Sequence, residues 1–442
     1  MKKTILILAS AVLALAACNK VDIIEENHGD AITFRPFTST LTRVATTQDV
    51  TTANIASFKV TAFNAGTTAN PYINDITYSR TTATPYVFYV DPTAAASSDY
   101  RNEYYWPANN LDFYAYSWTD GSSSTYFSGS QVAKTAYNTF TYTPAVATSS
   151  ADPDHADLVV ACVPNASKAS YGANGIPLNF RHAASKIVVK VKNTSAQLKF
   201  DIDAWKVGYL YEKGTYTLPK TSTATHYDDN ASSPTLLNLS DWAYTGATQV
   251  VGHEYVSNQS SMVYVNPNTT TAVALDGEMI LVPQTHKVID MTATDKKGYA
   301  STDPGAALDG AFIAVKFIIR NNDAFTAGTD PETSEPISTP TDGQGTVIYG
   351  TAPVAPATAY TTGWAIWPLP ASSVWEPGKK YTYTIDLAGG GYYETNQAET
   401  ESGADQDELD PILDNTVIKF ITVTVDEWQT QAEIAISGPT NL

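Results

Sequence analysis

Cysteine and histidine are scarce in this chain, with 2 Cys and 6 His among 442 residues. The histidines are scattered without the spacing of metal ligands, and the two cysteines, Cys18 and Cys162, are not expected to pair, because Cys18 lies in a lipid-attachment signal described below. The chain also has no phosphate-cradling glycine loop and no Gly-x-Ser-x-Gly nucleophile elbow. These absences argue against an enzyme and predict neither a cofactor nor a metal centre.

Charge is also sparse and mostly of one sign. Charged residues make up 16% of the chain, and 45 Asp and Glu against 26 Lys and Arg give a formal net charge of -19. Removal of residues 1–43 would take away five bases and four acids, leaving -20. Such a balance argues against nucleic acid or an anionic membrane surface as a partner.

Helical periodicity of useful length is missing downstream of residue 43. Short alternating runs, rich in β-branched and aromatic residues and bounded by Gly, Pro, Asn, Asp or Ser, take its place. They are Ile55–Phe63, Tyr86–Val90, Leu111–Tyr116, Ile187–Val191, Phe200–Tyr211, Met279–Val282, Phe312–Ile319, Tyr381–Leu387 and Val417–Val425. This pattern predicts antiparallel β-sandwiches. A polar, Gly-bearing stretch at 164–176 predicts a domain boundary, and Lys220–Leu236 and Asn321–Gly345 are expected to be long irregular insertions.

The first residues are typical of an export signal. Two lysines precede an apolar run of 12 residues, Thr4–Leu15, which is too short to span a bilayer as a helix. The run ends in Leu-Ala-Ala-Cys, which fits the site read by lipoprotein signal peptidase, with Cys18 as the residue that takes the lipid. An ordinary secretory signal with an accidental cysteine is the alternative. Several acyl chains on Cys18 would anchor the protein, and Asn19 favours the outer membrane because the usual retention Asp is absent.

A single strand is predicted after this signal, over Ala31–Arg43. Ile32 and Phe34 fall on one face of it, and the strand ends at Arg43 in a Thr-rich stretch. Pro36 blocks trypsin-like attack at Arg35, so we expect proteolytic processing between Arg43 and Val44. Removal of this strand would leave a sheet that needs a partner strand.

The last 14 residues, 429–442, contain another short alternating segment. Ala432, Ile434 and Ile436 share one face of it, the same half-apolar pattern as in the strand that leaves. Fully extended, this tail reaches at most ~46 Å, enough for a linker and one strand in a neighbouring subunit. We therefore expect a donor strand here. The competing interpretation is that the tail forms the final edge strand of its own C-terminal domain.

Several conspicuous motifs have structural interpretations that we prefer to chemical ones. Tyr105–Pro107 is expected to pack aromatic rings over a sheet edge, and Trp375–Lys379 to form a tight turn in which Gly378 relieves a Cβ clash. His182 is expected to be a hydrogen-bonded structural residue, and Cys162 a small buried hydrophobe in a strand. The acidic stretches Asp152–Asp157 and Asp405–Asp410 are interpreted as solvated turns, with calcium binding as the alternative, because neither has the spacing of a known calcium loop.

Taken in order, these motifs resemble the fimbrillin-like proteins of Gram-negative anaerobes over nearly the whole chain. In the N-terminal half the resemblance is carried by Ile32–Phe34, Thr42–Arg43, Tyr105–Pro107, Leu111–Tyr116 and Asp157–Ala161. In the C-terminal half it is carried by Leu178–His182, Ser185–Val189, Gly214–Tyr216, Leu281–Gln284, Trp375–Tyr383 and Thr422–Trp428.

The resemblance implies two transthyretin-like antiparallel β-sandwich domains. We divide the chain accordingly into a lipoprotein signal peptide (1–17), a lipidated pro-segment with the removable strand (18–43), an N-terminal sandwich (44–172), a C-terminal sandwich (173–428) and the tail (429–442). It also implies trimming after an arginine by a trypsin-like, arginine-specific surface protease and assembly into type V pili by strand exchange. The expected partners are lipoprotein signal peptidase and the acylation machinery, which would attach palmitate, and other fimbrial subunits in a homo- or hetero-polymer.

Two classes of function compete at this point. One is a structural pilus subunit that supports adhesion and passes from an outer-membrane lipoprotein precursor to a cell-surface fimbria. The other is a monomeric surface lipoprotein that binds glycan or host protein through exposed aromatics such as Trp364, Trp367 or Tyr392 and Tyr393. The removable strand favours the first, because a binding protein has no use for the loss of a core strand.

Overall fold

The protein is described by a computed structural model with side chains. The structure describes residues 30–38, 55–80, 88–90, 104–119, 126–146, 154–219, 238–244, 248–250, 253–290, 297–301, 305–322, 328–329, 336–337, 345–350, 362–370, 373–395, 409–413 and 420–428.

Nearly all regular structure in these residues is β. The strands of the first part of the chain are β1 (Phe34–Thr38), β2 (Ser57–Asn64), β3 (Ile73–Arg80), β4 (Phe88–Tyr89), β5 (Leu111–Ser117), β6 (Val132–Ala136), β7 (Thr139–Tyr142), β8 (Val159–Ala166) and β9 (Ile176–His182). Those of the second part are β10 (Ser185–Asn193), β11 (Leu198–Gly208), β12 (Leu210–Tyr211), β13 (Gly214–Thr217), β14 (Trp242–Ala243), β15 (Gln249–Val250), β16 (Tyr255–Val265), β17 (Thr269–Ala274), β18 (Met279–Leu281), β19 (Gln284–Thr285), β20 (Phe312–Asn321), β21 (Gly328–Thr329), β22 (Pro336–Ile337), β23 (Val347–Tyr349), β24 (Gly363–Pro368), β25 (Val374–Trp375), β26 (Lys379–Asp386), β27 (Tyr392–Tyr393) and β28 (Phe420–Glu427). Within the described residues, helical structure is limited to α1 (Lys168–Tyr171) and two single 3₁₀ turns, Leu239–Asp241 and Leu387–Gly389.

The first sheet has seven strands in the order β1-β9-β8-β5-β2-β3-β4. Its β1–β9 pair is parallel, whereas the other neighbours are antiparallel. The sheet curls strongly, because a side chain of β1 packs against β2 and β3 although these strands are four and five places away in the sheet. The enclosed face forms an apolar core with Phe58, Phe113 and Phe180 at its centre.

A second, four-stranded sheet with the order β14-β13-β7-β6 lies over the opposite face of the first. Tyr114 and Tyr116 of β5 point toward it, while Leu111, Phe113 and Ala115 point into the enclosed core. All seven residues of β5 are therefore buried, as expected for a strand covered on both faces. Cys162 of β8 lies in the same layer and is buried, as the sequence predicts.

The second part of the chain builds a sandwich of two sheets. One sheet has the order β17-β10-β26-β28, with β18 also paired to β10, and the other has the order β16-β11-β20-β24-β27, with β23 also paired to β20. Their facing sides enclose a core that includes Trp205, Trp367 and Trp375, each with 0% exposure. The predicted tight turn leads into β26, and Gly378 has a φ of +68°, which favours glycine.

The all-β, sandwich-like fold that the sequence predicts is confirmed, whereas the transthyretin-like assignment stays a prediction. The division at residue 172 also stays a prediction. β9 follows that position yet pairs with β8 and β1 of the first sheet, and β13 pairs with β7. Strands from both sides of the predicted boundary are thus interleaved.

Candidate functional site: the N-terminal strand

The N-terminal segment 30–38 fills a slot in the first sheet. On one side β1 runs parallel to β9, with Cα partners from Phe34 and Ile176 to Thr38 and Phe180. On the other side, the Ile32 amide donates to the Tyr104 carbonyl at 3.0 Å and the Trp106 amide donates to the Asp30 carbonyl at 3.1 Å. Two separate backbone edges therefore hold one short segment.

Alternate side chains of this segment enter the enclosed core. Ile32 is fully buried and Phe34 is 7% exposed, and Pro36 is buried in line with them. The Phe34 ring makes edge contacts with Tyr78 at 4.7 Å, Phe113 at 5.7 Å and Phe58 at 5.8 Å between centroids. Burying an Ile or Phe side chain contributes about 1.5–3 kcal/mol each. Departure of the segment would open an apolar groove between β9 and residues 104–106.

Gly175 sets the close approach of the segment to the turn before β9. Its φ is +75°, and a Cβ atom at this position would lie 2.8 Å from Thr33 Oγ1. The Ile176 amide donates to the Thr33 carbonyl at 2.8 Å, which locks the same contact. Only glycine satisfies both the backbone conformation and the spacing.

The start of the segment lies at the surface. Asp30 forms an ion pair with Lys168 of α1 at 3.1 Å, with side-chain exposures of 63% and 54%. An exposed pair of this kind contributes little stability. We call this end of the groove, defined by Asp30, Lys168 and Gly175, the open pole.

The other end of the groove meets the second sandwich. His182, the last residue of β9, pairs through Nδ1 with Asp157 Oδ1 at 2.7 Å, and both side chains are buried. The Trp428 ring stacks on the imidazole with centroids 3.9 Å apart and an interplanar angle of 6°. The structural interpretation of His182 is confirmed by these contacts. We call this end the sandwich pole.

A second buried histidine ties the two parts of the chain together. The Ile280 amide donates to His155 Nδ1 at 2.9 Å, so His155 carries its proton on Nε2, which lies 2.9 Å from the Ala145 carbonyl. Complete burial lowers the pKa of His155 to about 4. The ring is therefore neutral in the fold at pH 7, and its charging in acid opposes the native state.

The predicted site residues fall into two groups. Ile32 and Phe34 lie in the enclosed core, side by side on one face of the segment. Cys18, Arg43, Val44, Ala432, Ile434 and Ile436 lie outside the described residues. The groove partners β9 and residues 104–106 were not predicted as such from the sequence, although both belong to motifs that carry the family resemblance.

The aromatic residues considered for a binding surface are largely inside the protein. Trp367 is fully buried in the second core, and Tyr392 is 7% exposed beneath the residues around Leu409. Trp364 packs under the Lys206 ammonium, 4.6 Å from its ring centroid. The predicted exposure of Trp367 and Tyr392 is wrong, because their positions on β24 and β27 place them in packed layers.

Among the described residues, no three His, Cys, Asp or Glu side chains gather closely enough to hold a metal ion. Asp157, at the end of one acidic stretch, is committed to His182. In the same part of the chain, no helix has the length and apolar character needed to cross a membrane.

Comparison with known proteins identifies the family to which this chain belongs. A family model described as fimbrillin-like matches residues 42–428. The chain belongs to the fimbrillin-like family. The match ends at Trp428 and begins after the N-terminal segment, so the segment and the tail both lie outside it. The search of curated proteins found no match.

Among solved structures, this fimbrillin-like protein is similar to a fimbrial protein from Bacteroides vulgatus, with 16% identity, coverage of 80% of this chain and 94% of the other, and a TM-score of 0.41. It is also similar to the tip fimbrial protein Mfa3 from Porphyromonas gingivalis, with 8% identity, coverage of 88% and 99%, and a TM-score of 0.28. Family membership indicates a pilus-type, non-enzymatic adhesion subunit of the cell-surface fimbria that interacts with other fimbrial subunits.

Proposed function

We propose that this protein is a structural fimbrial subunit that polymerises by strand exchange after proteolytic removal of its N-terminal strand, and that the polymer supports adhesion. The precursor is exported, lipidated at Cys18 by the lipoprotein signal peptidase and acylation machinery, and held at the outer membrane. A trypsin-like, arginine-specific protease then cuts between Arg43 and Val44. The subunit leaves its lipid with the cut segment and enters the fimbria.

The placement of the segment 30–38 is the observation that carries this proposal. The segment contributes Ile32 and Phe34 to the core, yet its covalent link to all the later strands runs through its C-terminal end, and it lies at the edge of the sheet. After a cut at Arg43, only non-covalent contacts retain it. Its loss returns apolar surface to water at roughly 25 cal/mol per Å², which a strand from another subunit can cover again.

Cleavage is tested by comparing Arg43→Ala with Arg35→Ala, a matched change at the other arginine of the segment. We expect the parent and Arg35→Ala to yield a mature protein that begins at Val44 and polymerises after protease treatment. Arg43→Ala should stay monomeric and attached to membranes. Size-exclusion chromatography, electron microscopy and N-terminal sequencing follow the outcome. If Arg43→Ala polymerises as readily as the parent, the strand is not a plug.

The donor is tested by deleting residues 429–442. A donor tail that contains Ala432, Ile434 and Ile436 on one face can be removed without lowering the melting temperature of the monomer, while polymerisation stops. If the tail is instead an internal edge strand of the C-terminal sandwich, its loss lowers the melting temperature. The two results separate donation from self-completion.

A further inference from the structure

The two ends of the groove differ in what surrounds them. At the sandwich pole the chain passes from His182 through Ala183 and Ala184 into β10, and both of these residues are fully buried. The Gly378 amide donates to the Ala184 carbonyl at 2.9 Å, and the Trp242 indole donates to the Ala183 carbonyl at 3.1 Å. The second sandwich, through Gly378, and the four-stranded sheet, through Trp242, therefore close this pole, whereas Asp30 and Lys168 lie exposed at the open pole.

The departure point of the tail lies at the closed end. Trp428 is the residue before the tail, and it is fixed there by its stack on His182 and by its amide, which donates to the Gly378 carbonyl at 2.8 Å. The Lys186 ammonium lies 5.7 Å from the same ring. β1 also ends at this pole, since Thr38 is the Cα partner of Phe180, two residues before His182.

We propose that the incoming donor strand enters at the open pole and runs parallel to β9, in the direction of the strand that it replaces. This inference rests on the proposed strand exchange and adds its polarity and register. In this register Ala432, Ile434 and Ile436 take the places of Ile32, Phe34 and Pro36. The spacing of these apolar residues fits either strand direction, so the direction is inferred from the surroundings of the two poles.

The linker between the donor's body and its strand is short, which restricts where the donor's body can lie. Only residues 429–431 separate Trp428 from Ala432, so the Cα atoms of these two residues are four steps apart and lie at most ~14 Å from each other. The donor's own body must therefore lie at the pole where its strand enters. At the sandwich pole that space is taken by the second sandwich of the acceptor, which includes Trp428. At the open pole, the described residues that a neighbour meets are the exposed ones around Asp30, Lys168 and Gly175.

This polarity also determines how tension crosses each junction of a fibre. A parallel donor is pulled from its first residue at the open pole, while β9 is held at the sandwich pole through Trp428 and His182. The two strands are then pulled in opposite directions along their length, and all their hydrogen bonds share the force. An antiparallel donor would be pulled away from the same pole at which β9 is held, and its hydrogen bonds would break one after another.

Disulfide trapping in the cleaved, polymerising protein tests the polarity. Asn179 is the Cα partner of Phe37, whose place Ser437 takes in the parallel register and Gln431 takes in the antiparallel one. Paired Cα atoms in a sheet fall within the range that a disulfide bridges. Cys162, the native cysteine left after cleavage, is buried and so shielded from the introduced thiols.

We expect Asn179→Cys with Ser437→Cys to give a covalent ladder on non-reducing gels, and Asn179→Cys with Gln431→Cys to give none. Pro177→Cys with Ala435→Cys, a pair displaced by two residues, should give the same ladder and guards against a poorly tolerated Asn179 change. A ladder from the Gln431 pair, or polymers in which neither parallel pair cross-links, overturns the polarity alone. Failure of the parent to polymerise after cleavage overturns the proposed function as well.

Discussion

Phe34→Ala offers a direct measure of how firmly the N-terminal strand holds its groove. The side chain is 7% exposed and contacts three aromatic rings, so truncation removes a large buried group from a packed site. Substitutions of this kind cost about 3–5 kcal/mol. At about 1.4 kcal/mol per factor of ten, the affinity of the cleaved segment for the groove should fall by roughly two to three and a half orders of magnitude.

The assay follows the segment after cleavage at Arg43. The parent and Phe34→Ala proteins are treated with trypsin, and retention of the N-terminal fragment is measured by size-exclusion chromatography and mass spectrometry while polymerisation is recorded by light scattering. The variant should lose the fragment faster and polymerise after a shorter delay. In addition, its free energy of unfolding should be lowered in the uncleaved precursor but not in the cleaved protein.

Phe113→Ala is the matched control, because Phe113 belongs to the same core but lies on β5 and stays in the subunit. This change should destabilise the precursor and the cleaved protein alike. If Phe34→Ala leaves fragment retention and polymerisation unchanged, or if it destabilises the cleaved protein as much as Phe113→Ala does, then Phe34 is not what holds the removable strand.

Three further predictions concern the groove, the junction between the parts of the chain and the end of the tail. Gly175→Ala should lower the melting temperature of the precursor by more than that of the cleaved protein. The positive φ strains alanine in both forms, but the new Cβ meets Thr33 Oγ1 only while the segment is in place. Equal losses in the two forms would refute the close approach as the cause. Burial lowers the pKa of His155 in the fold to about 4, below its unfolded value of about 6.5, so the folded state favours the neutral ring. The free energy of unfolding should therefore fall as the pH drops from about 6.5 toward 4, with at most ~3 kcal/mol of the loss due to His155. Denaturant titrations at several pH values measure this slope, and His155→Gln should flatten it; an unchanged slope would assign the effect to other groups such as His286, whose pKa burial also lowers to about 4. Trp428→Ala should leave proteolytic removal of the segment at Arg43 intact and should shorten fibres under shear flow, whereas fibres of parental length would show that the stack on His182 bears no load.

The two parts of the subunit are connected directly, because strands from both parts are interleaved. β9 pairs with the N-terminal segment along one side and is followed directly by β10 of the second sandwich. His155 and Tyr142 reach across to Ile280, with hydrogen-bond distances of 2.9 Å in both cases. Whatever fills the groove is therefore coupled through a single strand to the residue from which the tail departs.

The sequence by itself determined which stretches become strands in the places where local pattern decides. Leu111–Tyr116, Phe312–Ile319 and Tyr381–Leu387 were predicted within two residues of the strands that form, because alternation and β-branched or aromatic residues act on neighbouring positions. The pattern of Ile32 and Phe34 likewise predicted a half-buried strand. The predicted run Phe200–Tyr211 is broken by Tyr209, which has a φ of 64° and separates β11 from β12.

Which strands pair with each other was decided only by the tertiary structure. That β1 pairs in parallel with β9, 142 residues later, depends on loop closure and on the packing of Phe34 against β2 and β3, and no local pattern encodes either. For the same reason the sequence suggested exposed aromatics at Trp367 and Tyr392, which the layers of the second sandwich bury. Periodicity assigns a residue to one face of a strand, but only the assembled layers decide whether that face meets water.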